Sequence, residues 1–548
     1  MRSKALKRIL SYLVLAAGIF LVLFYIFFRE RTEYHVDVTD TLLWADAMVK
    51  SGSLRDPGFW YAYMIPFSGT LVMAPFVKFL GVTYLTHKLG MAAFSLIFMV
   101  SVYFMLRVLE ISYERSALIT GVFIILLCAS RVTRMIFFCH VIHYSLGILF
   151  TCVAMILLKK MTDCRYTSKR TGYVVSLIFL MFWIFCCCIN GVSSFMFFLI
   201  PFAGAFVLGN MIRFNRSAEG SGDEEVLLNG TFKAELRAQL ARPFLELVLM
   251  MGAAAGGFLF KILYIGKNEY ESHFSSFLPS DEWMFKNNRL INQWVALFTD
   301  DVYGTMPFLS KEGIFLMAGV LMALLTLVVP VLALVYFTGN RQGGMKLFFV
   351  LDYAVVFLLT IYIYSISTVS NENWRLCELY GMSLLVLLVF TDEIFNKTGF
   401  KAPAVLLALL TAFFCLICTY KVIVAIPGEL YSNRHDRMVR LLNENGLRAG
   451  YSDLYNSANI VTVLSDSSIM VSPIEFNPDG TYNVYRYQSR PEWYAIDSEE
   501  YFVVVNGQER EWTEERLKAN CSRELQFDED TWVLVFDRNI FEDLEPVF

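Results

Sequence analysis

A chain of 548 residues that is 56% hydrophobic, 16% aromatic and only 18% charged, with a positive mean hydropathy, is not an ordinary soluble globular protein. Its 49 Phe and 28 Tyr suit lipid-facing surface and aromatic belts at membrane interfaces. The net charge of −4 is divided: from Pro427 onward 23 acidic residues oppose 11 basic ones, a local net of −12, while the preceding part carries +8. That division calls for two parts in different surroundings, and it gives no support to a nucleic-acid partner.

The chain begins with Arg2, Lys4, Lys7 and Arg8 ahead of an apolar run from Ile9 to Phe28, long enough to cross about 30 Å of hydrocarbon. Arg29-Glu30-Arg31 follows without a small-residue cleavage site, so the run reads as an uncleaved signal anchor. Further spans are expected at about 84–106, 116–130, 141–158, 172–189, 194–212, 243–265, 312–336, 347–367, 376–391 and 402–426, eleven with the first. Met64 to Val82 is apolar enough to be a twelfth. Counting it as a span, however, would move Lys159, Lys160, Arg165, Lys169, Arg170, Arg213 and Arg242 away from the side of the basic N-terminus. The positive-inside rule therefore makes 64–82 a helix lying on the outer face, in keeping with Pro66, Gly69, Pro75 and Lys78.

The expected fold is an α-helical polytopic membrane protein of a bacterial plasma membrane, with a cytoplasmic N-terminus. Residues 1–427 form its transmembrane part and residues 428–548 an extracytoplasmic C-terminal α/β domain. Outer loops are expected at 29–83 and 266–311, and an inner linker rich in Ser, Gly and acid at Ser217 to Glu225. In the C-terminal domain, a helix is expected from His435 to Asn445 with Gly446 just beyond it. Strands are expected at Ile460–Leu464, Ser468–Ile474, Tyr501–Val505 and Trp532–Phe536, and a turn at Asn477-Pro478-Asp479-Gly480. Trp512 to Asn520 reads as a helix with Thr513 as its N-cap. Cys521 is alone in this region, so no disulfide can form within it, and no Cys/His spacing suggests zinc.

Carboxylates beside a membrane face are costly unless solvated or used, which draws attention to Asp37 and Asp40 in the first outer loop. Three residues apart, they can share a face and keep one proton between them, as suits a general base near neutral pH. The bland alternative is that Asp40 caps the helix beginning at Thr41. Arg375, in Asn371-Glu372-Asn373-Trp374-Arg375 at the outer mouth of a span, can bind a phosphate bidentately, or else pair with Glu372 or Glu378. Arg131 and Arg134 are weaker candidates for the same role. The loop from Gly266 to Glu312 mixes Trp283, Trp294 and Tyr303 with Glu269, Glu271, His273, Asp281, Arg289, Asp300 and Asp301. It can close over a sugar or simply anchor at the interface through its Trp residues; Trp283, Asp281 and Arg289 are the substrate-binding candidates.

Three stretches carry a family likeness: DVTDTLLWADAMVKSG, IPFSGTLVMAPFVKFLG and SNENWRLCELYG. With a single span before the acidic outer loop, they resemble the GT-C superfamily of polyprenyl-phosphate-sugar-dependent membrane glycosyltransferases, which includes protein O-mannosyltransferases and aminoarabinose transferases. The chain is most similar to uncharacterised glycosyltransferase-like membrane proteins of Gram-positive bacteria. The resemblance implies a catalytic base in the first outer loop, Asp40 before Asp37, and an inverting transfer to a glycan, lipid or protein acceptor of the cell envelope. It also implies a polyprenyl-phosphate sugar as donor. Asp37-Val38-Thr39-Asp40 is DxxD rather than the DxD of metal-dependent members, so no obligatory metal or cofactor is expected. A lipid-linked glycan flippase would place ionisable groups midway through spans; the charges here cluster at span ends, the clearest exception being Asp352 with Tyr353 near the inner end of its span. A non-catalytic envelope scaffold is the remaining alternative.

Overall fold

The computed structural model describes residues 2–61, 63–140, 143–167, 169–219, 230–266, 276–300, 305–339, 344–370, 372–396, 401–426 and 433–541. The expected linker at Ser217 to Glu225 lies largely outside them, as do Glu269, Glu271, His273, Asp301, Tyr303 and Asn371. Ten of the described helices are long and apolar enough to cross a bilayer, which makes the chain a multi-pass membrane protein.

The first, α1 (Arg2–Phe28), ends at two short turns, Glu30–Glu33 and Val36–Thr39, that deliver the chain into α2 (Asp40–Ser51). Gly52 closes α2 in the left-handed conformation, at φ +67°. Next, α3 (Thr70–Leu80) has 11 residues, too few to cross, and packs on α2 and on α4 (Tyr84–Val108), as expected for the 64–82 segment. Thr83 caps α4 by accepting from Thr86 N. The expected span at 116–130 is shorter than foreseen: α5 (Tyr113–Leu126) has 14 residues and is followed by a turn and by α6 (Arg131–Phe138). Arg115 at its start pairs with Asp392, and Cys128 just past its end accepts from Arg134. Gly18 and Gly121 let α1 and α5 touch: a Cβ on Gly121 would stand 2.7 Å from the Leu15 backbone.

The bundle continues through α7 (His143–Tyr166), α8 (Arg170–Cys188) and the single turn α9 (Val192–Ser194), which a π-helical turn joins to α10 (Ile200–Glu219). After α11 (Gly230–Phe260) comes α12 (Trp283–Thr299), a surface helix that lies against the chain around residues 365–375. Then follow α13 (Lys311–Gly339), α14 (Gly344–Ile366), α15 (Cys377–Asn396) and α16 (Lys401–Tyr420). Of these, α15 is buried almost throughout and forms the centre of the bundle.

The C-terminal domain is a six-stranded sheet of order β3-β2-β1-β4-β6-β5 with flanking helices. Its elements run α17 (Arg434–Glu444), β1 (Ala449–Ser452), α18 (Ile460–Leu464), β2 (Met470–Phe476), β3 (Tyr482–Val484), β4 (Tyr501–Asn506), α19 (Gly507–Trp512), β5 (Arg523–Asp528) and β6 (Thr531–Phe536). Central β1 pairs in parallel with β2 and β4, and the outer pairings are antiparallel. Two expectations are corrected. Ile460–Leu464 is a buried helical turn rather than a strand, because a short apolar β-branched run has no periodicity to separate the two. The helix near Trp512 lies one turn earlier: Asn506 caps it in a box with Glu509, and Thr513 stands at its C-terminal end.

This domain docks on the ends of α1 to α4. Arg31 forms a forked ion pair with Asp436, Asn433 Nδ2 donates to Arg31 O at 2.7 Å, and Asp466 accepts from Tyr84 N at 2.8 Å. Trp60 N donates to Ser489 O at 2.9 Å, and Arg490 reaches Asp56 at 3.0 Å.

Candidate functional site

The turn Val36–Thr39 and the start of α2 hold the two acids on the face that carries the C-terminal domain. Asp40 is 2% exposed and its Oδ2 accepts from Tyr63 Oη at 2.7 Å. Its carboxylate makes no cap: Thr39 occupies that position, its hydroxyl donating back to Val36 O rather than capping α2. Burial, and then the charge of Asp37, push Asp40 well above the usual carboxylate range, while Tyr63 and Gln488 partly favour its charged form. The Asp37 side chain is 37% exposed and lies 3.4 Å from His35 Nδ1. Burial pushes it upward, but the hydrogen bond of His35 and the fields of His140 and His35 outweigh that and hold it below its ordinary value. Two neighbouring carboxyls are thus driven apart, one toward holding a proton and one toward charge.

His140, just past the end of α6, is 3% exposed, and among the described residues neither of its ring nitrogens has a hydrogen-bond partner. Burial pushes its imidazole down to about 3. A folded-state value below the unfolded 6.5 stabilises the fold above about pH 6.5, and that contribution is lost as pH falls toward 3. Wild type is expected to lose about 1.4 kcal/mol per pH unit more than His140→Gln in this window, read from denaturant unfolding in detergent.

Tyr144, on the first turn of α7, stands in the fields of both Arg375 and Asp37. Arg375 is half-buried in the turn Asn373–Leu376, beside Tyr364 and in the field that also acts on Lys286. Lys286 donates to Val369 O at 2.6 Å, and Arg289 pairs with Glu372 at 2.5 Å, so α12 braces the Arg375 turn. Trp283, 40% exposed, donates to Leu278 O at 3.0 Å; Asp281 is exposed.

The other two arginines have different surroundings. Arg134 is buried and forked onto Glu33, with Nε 3.0 Å from Oε2 and Nη2 2.5 Å from Oε1, and it donates to Cys128 O at 3.2 Å. Tyr25 Oη also donates to Glu33, at 2.7 Å. Arg131 has an exposed side chain, and its backbone N–H donates to Asp300, whose other oxygen is 2.8 Å from Lys421. Sequence reasoning singled out Glu33 among the outer-loop acids but not Tyr63, Lys421 or Gln488. The aromatic run WYAYMIP offered a signal for Tyr63; Gln488 had none, lying some 450 residues from Asp40. Among the described residues no set of three His, Cys, Asp or Glu side chains is grouped as metal ligands.

No family model and no curated protein matches the chain. Solved structures do. ArnT from Cupriavidus metallidurans, bound to undecaprenyl phosphate, is 12% identical with a TM-score of 0.49, over 96% of this chain and 97% of that one. The same protein in the apo state gives a TM-score of 0.43 at 12% identity, over 95% and 97%. The Archaeoglobus fulgidus oligosaccharyltransferase, tethered to an acceptor peptide containing an NVT sequon, gives 0.48 at 12% identity over 92% of this chain and 71% of that one. In overall chain path this protein is similar to them.

Proposed function

We propose that the protein transfers a sugar from a polyprenyl phosphate to a cell-envelope acceptor, with inversion, on the face that carries its C-terminal domain. The observation that supports this most is the pairing of two carboxyls of opposite proton affinity with Arg375 across Tyr144. Asp37 is the exposed member that meets the acceptor hydroxyl. Asp40 is the more basic member, on which the proton comes to rest. The acceptor oxygen attacks the anomeric carbon, the bond from that carbon to the phosphate oxygen breaks, and the electron pair leaves with the lipid phosphate. Arg375 stabilises the charge developing there. Trp283, Asp281 and Arg289 border the donor's approach, and Arg131 is a further cation for its headgroup. Arg134, forked onto Glu33, holds the end of α1 and not the donor.

In this reading the active face is extracytoplasmic and the basic N-terminus cytoplasmic, following the positive-inside rule. The DxxD spacing goes with a reaction that needs no metal. The test is sugar transfer in proteoliposomes from a panel of polyprenyl-phosphate hexoses to glycan, lipid and peptide acceptors. Wild type is expected to transfer, and Arg375→Ala to do so about 10²- to 10³-fold more slowly. Wild type that transfers nothing yet moves lipid-linked sugars between leaflets would establish the flippase in its place. Wild type that does neither would leave the scaffold.

A further inference from the structure

Asp40 and Trp44 are one turn apart on α2 and so stand on the same side of it. Tyr63 meets both. Its ring packs edge to face on the Trp44 ring, with centroids 5.1 Å apart and planes at 86°, while its hydroxyl donates to Asp40 Oδ2 at 2.7 Å. Trp44 is fixed in turn. It is 2% exposed, and a buried indole N–H, which can only donate, calls for an acceptor. The C-terminal domain supplies one: Gln488 Oε1 lies 2.7 Å from Trp44 Nε1. Gln488 is 0% exposed and sits at φ +48°, a left-handed conformation that a non-glycine residue keeps only where its surroundings enforce it. Asn459 Nδ2 donates to Gln488 O at 3.1 Å, and Arg490 ties the same loop to Asp56 at 3.0 Å. The loop that carries Tyr63 is pinned on both sides of it. Before Tyr63, Trp60 N donates to Ser489 O of the C-terminal domain at 2.9 Å. After it, the buried Asn190 of the bundle accepts from Phe67 N and donates to Phe67 O, each at 2.8 Å.

We infer that Tyr63 is the positioning residue of Asp40, held by the C-terminal domain through Gln488 and Trp44, and that it divides the carboxyl into a held oxygen, Oδ2, and a working one, Oδ1. A phenol O–H that donates to one carboxylate oxygen fixes the rotation of the group and occupies the lone pair it meets. The proton that leaves the acceptor hydroxyl then bonds to Oδ1, and Tyr63 keeps its own. The domain takes part in the site by way of the Trp44 ring, without a contact of its own to the carboxyl. The inference rests on the transfer reading only for its kinetic consequence. The hold on Asp40 can be read without turnover.

The experiment uses the full chain in proteoliposomes and infrared difference spectra across pH, with the carboxyl band of Asp40 assigned by its loss in Asp40→Asn. With the proton on Oδ1, the carbonyl oxygen of the neutral group is Oδ2, which accepts from Tyr63. Tyr63→Phe keeps the ring against Trp44 and is expected to move that band to higher wavenumber. It is also expected to raise the titration midpoint by roughly one pH unit, because a donor favouring the charged form is removed while Asp37 stays in place. Trp44→Phe, which loses the bond to Gln488, is expected to shift both in the same direction by less, and to add nothing in the Tyr63→Phe background. In the transfer assay the low-pH limb of kcat/KM follows the midpoint. An unmoved band or an unmoved midpoint in inserted, folded Tyr63→Phe overturns the inference. So does Trp44→Phe without a shift, and so does a Trp44→Phe shift that persists in Tyr63→Phe, which would mean that Trp44 acts by another route. If Tyr63→Phe fails to insert, 3-fluorotyrosine at position 63, a stronger donor of nearly the same shape, is expected to move band and midpoint the opposite way. Neither moving there overturns the inference as well. Shifts of band and midpoint in a protein that transfers no sugar support the hold on Asp40 and overturn the transfer reading alone.

Discussion

Asp40→Asn is expected to lower sugar transfer by roughly 10²- to 10⁴-fold with insertion and folding intact. The substitution is nearly isosteric, and the amide oxygen can still accept from Tyr63 Oη, so the buried corner beneath the first turn of α2 keeps its packing. What disappears is the only strongly basic oxygen of the pair. Asp37→Asn should behave differently. Removing its charge takes away the second largest influence holding Asp40 high, so the low-pH limb of kcat/KM should move to lower pH as the rate falls. Steady-state transfer between about pH 5 and 8 separates the two. Equal losses with identical pH profiles would mean that the acids do not act as a coupled pair.

The second large effect concerns the Glu33–Arg134 pair at the end of α1. Glu33 and Arg134 have side chains only 11% and 4% exposed, so removing one leaves the other's charge buried without its partner. Glu33→Ala is expected to cost about 3–5 kcal/mol of unfolding free energy in detergent. It also strips the acceptor from Tyr25 Oη. Replacing both members with apolar residues of similar volume, Glu33→Leu with Arg134→Met, should recover most of that loss, because the desolvation cost of both ions goes with them. Were Arg134 a donor ligand instead, the double variant would be stable but inactive. Retained transfer in the double variant is the expected result.

Much of the architecture could be read in the chain because membrane spans announce themselves by length and composition, and ten of eleven appear at the expected places. The eleventh was legible as an apolar run but not in its length. Ser112 starts α5 and the Ser130 capping box starts α6 through local hydrogen bonds that hydropathy does not register. The acid pair was visible as a pair, since spacing alone puts Asp37 and Asp40 within reach of each other. Which of them is buried was not, because Asp40 is covered by Tyr63 from its own loop and by Gln488 from the far end of the chain. Likewise, Arg134 and Arg375 look alike in sequence, each a basic residue at the edge of an apolar run. Their different surroundings come from Glu33 and from α12, contacts made only in three dimensions.

The closeness of α1 and α5 has a consequence for the membrane itself. The two helices run in parallel and meet at Gly18 and Gly121; from there α1 continues ten residues to Phe28 and α5 only five to Leu126. At 1.5 Å per residue, α5 stops about 8 Å below its neighbour. The polar groups gathered past its end, including the Ala129 carbonyl held by Lys421 and the Cys128 carbonyl held by Arg134, therefore sit beside the last turns of α1 rather than beyond its end. Were the end of α1 to mark the edge of the hydrocarbon, this would be a section with its own hydrophobic mismatch, roofed by charge, and the thickness of the surrounding bilayer would become one of the dimensions of the site.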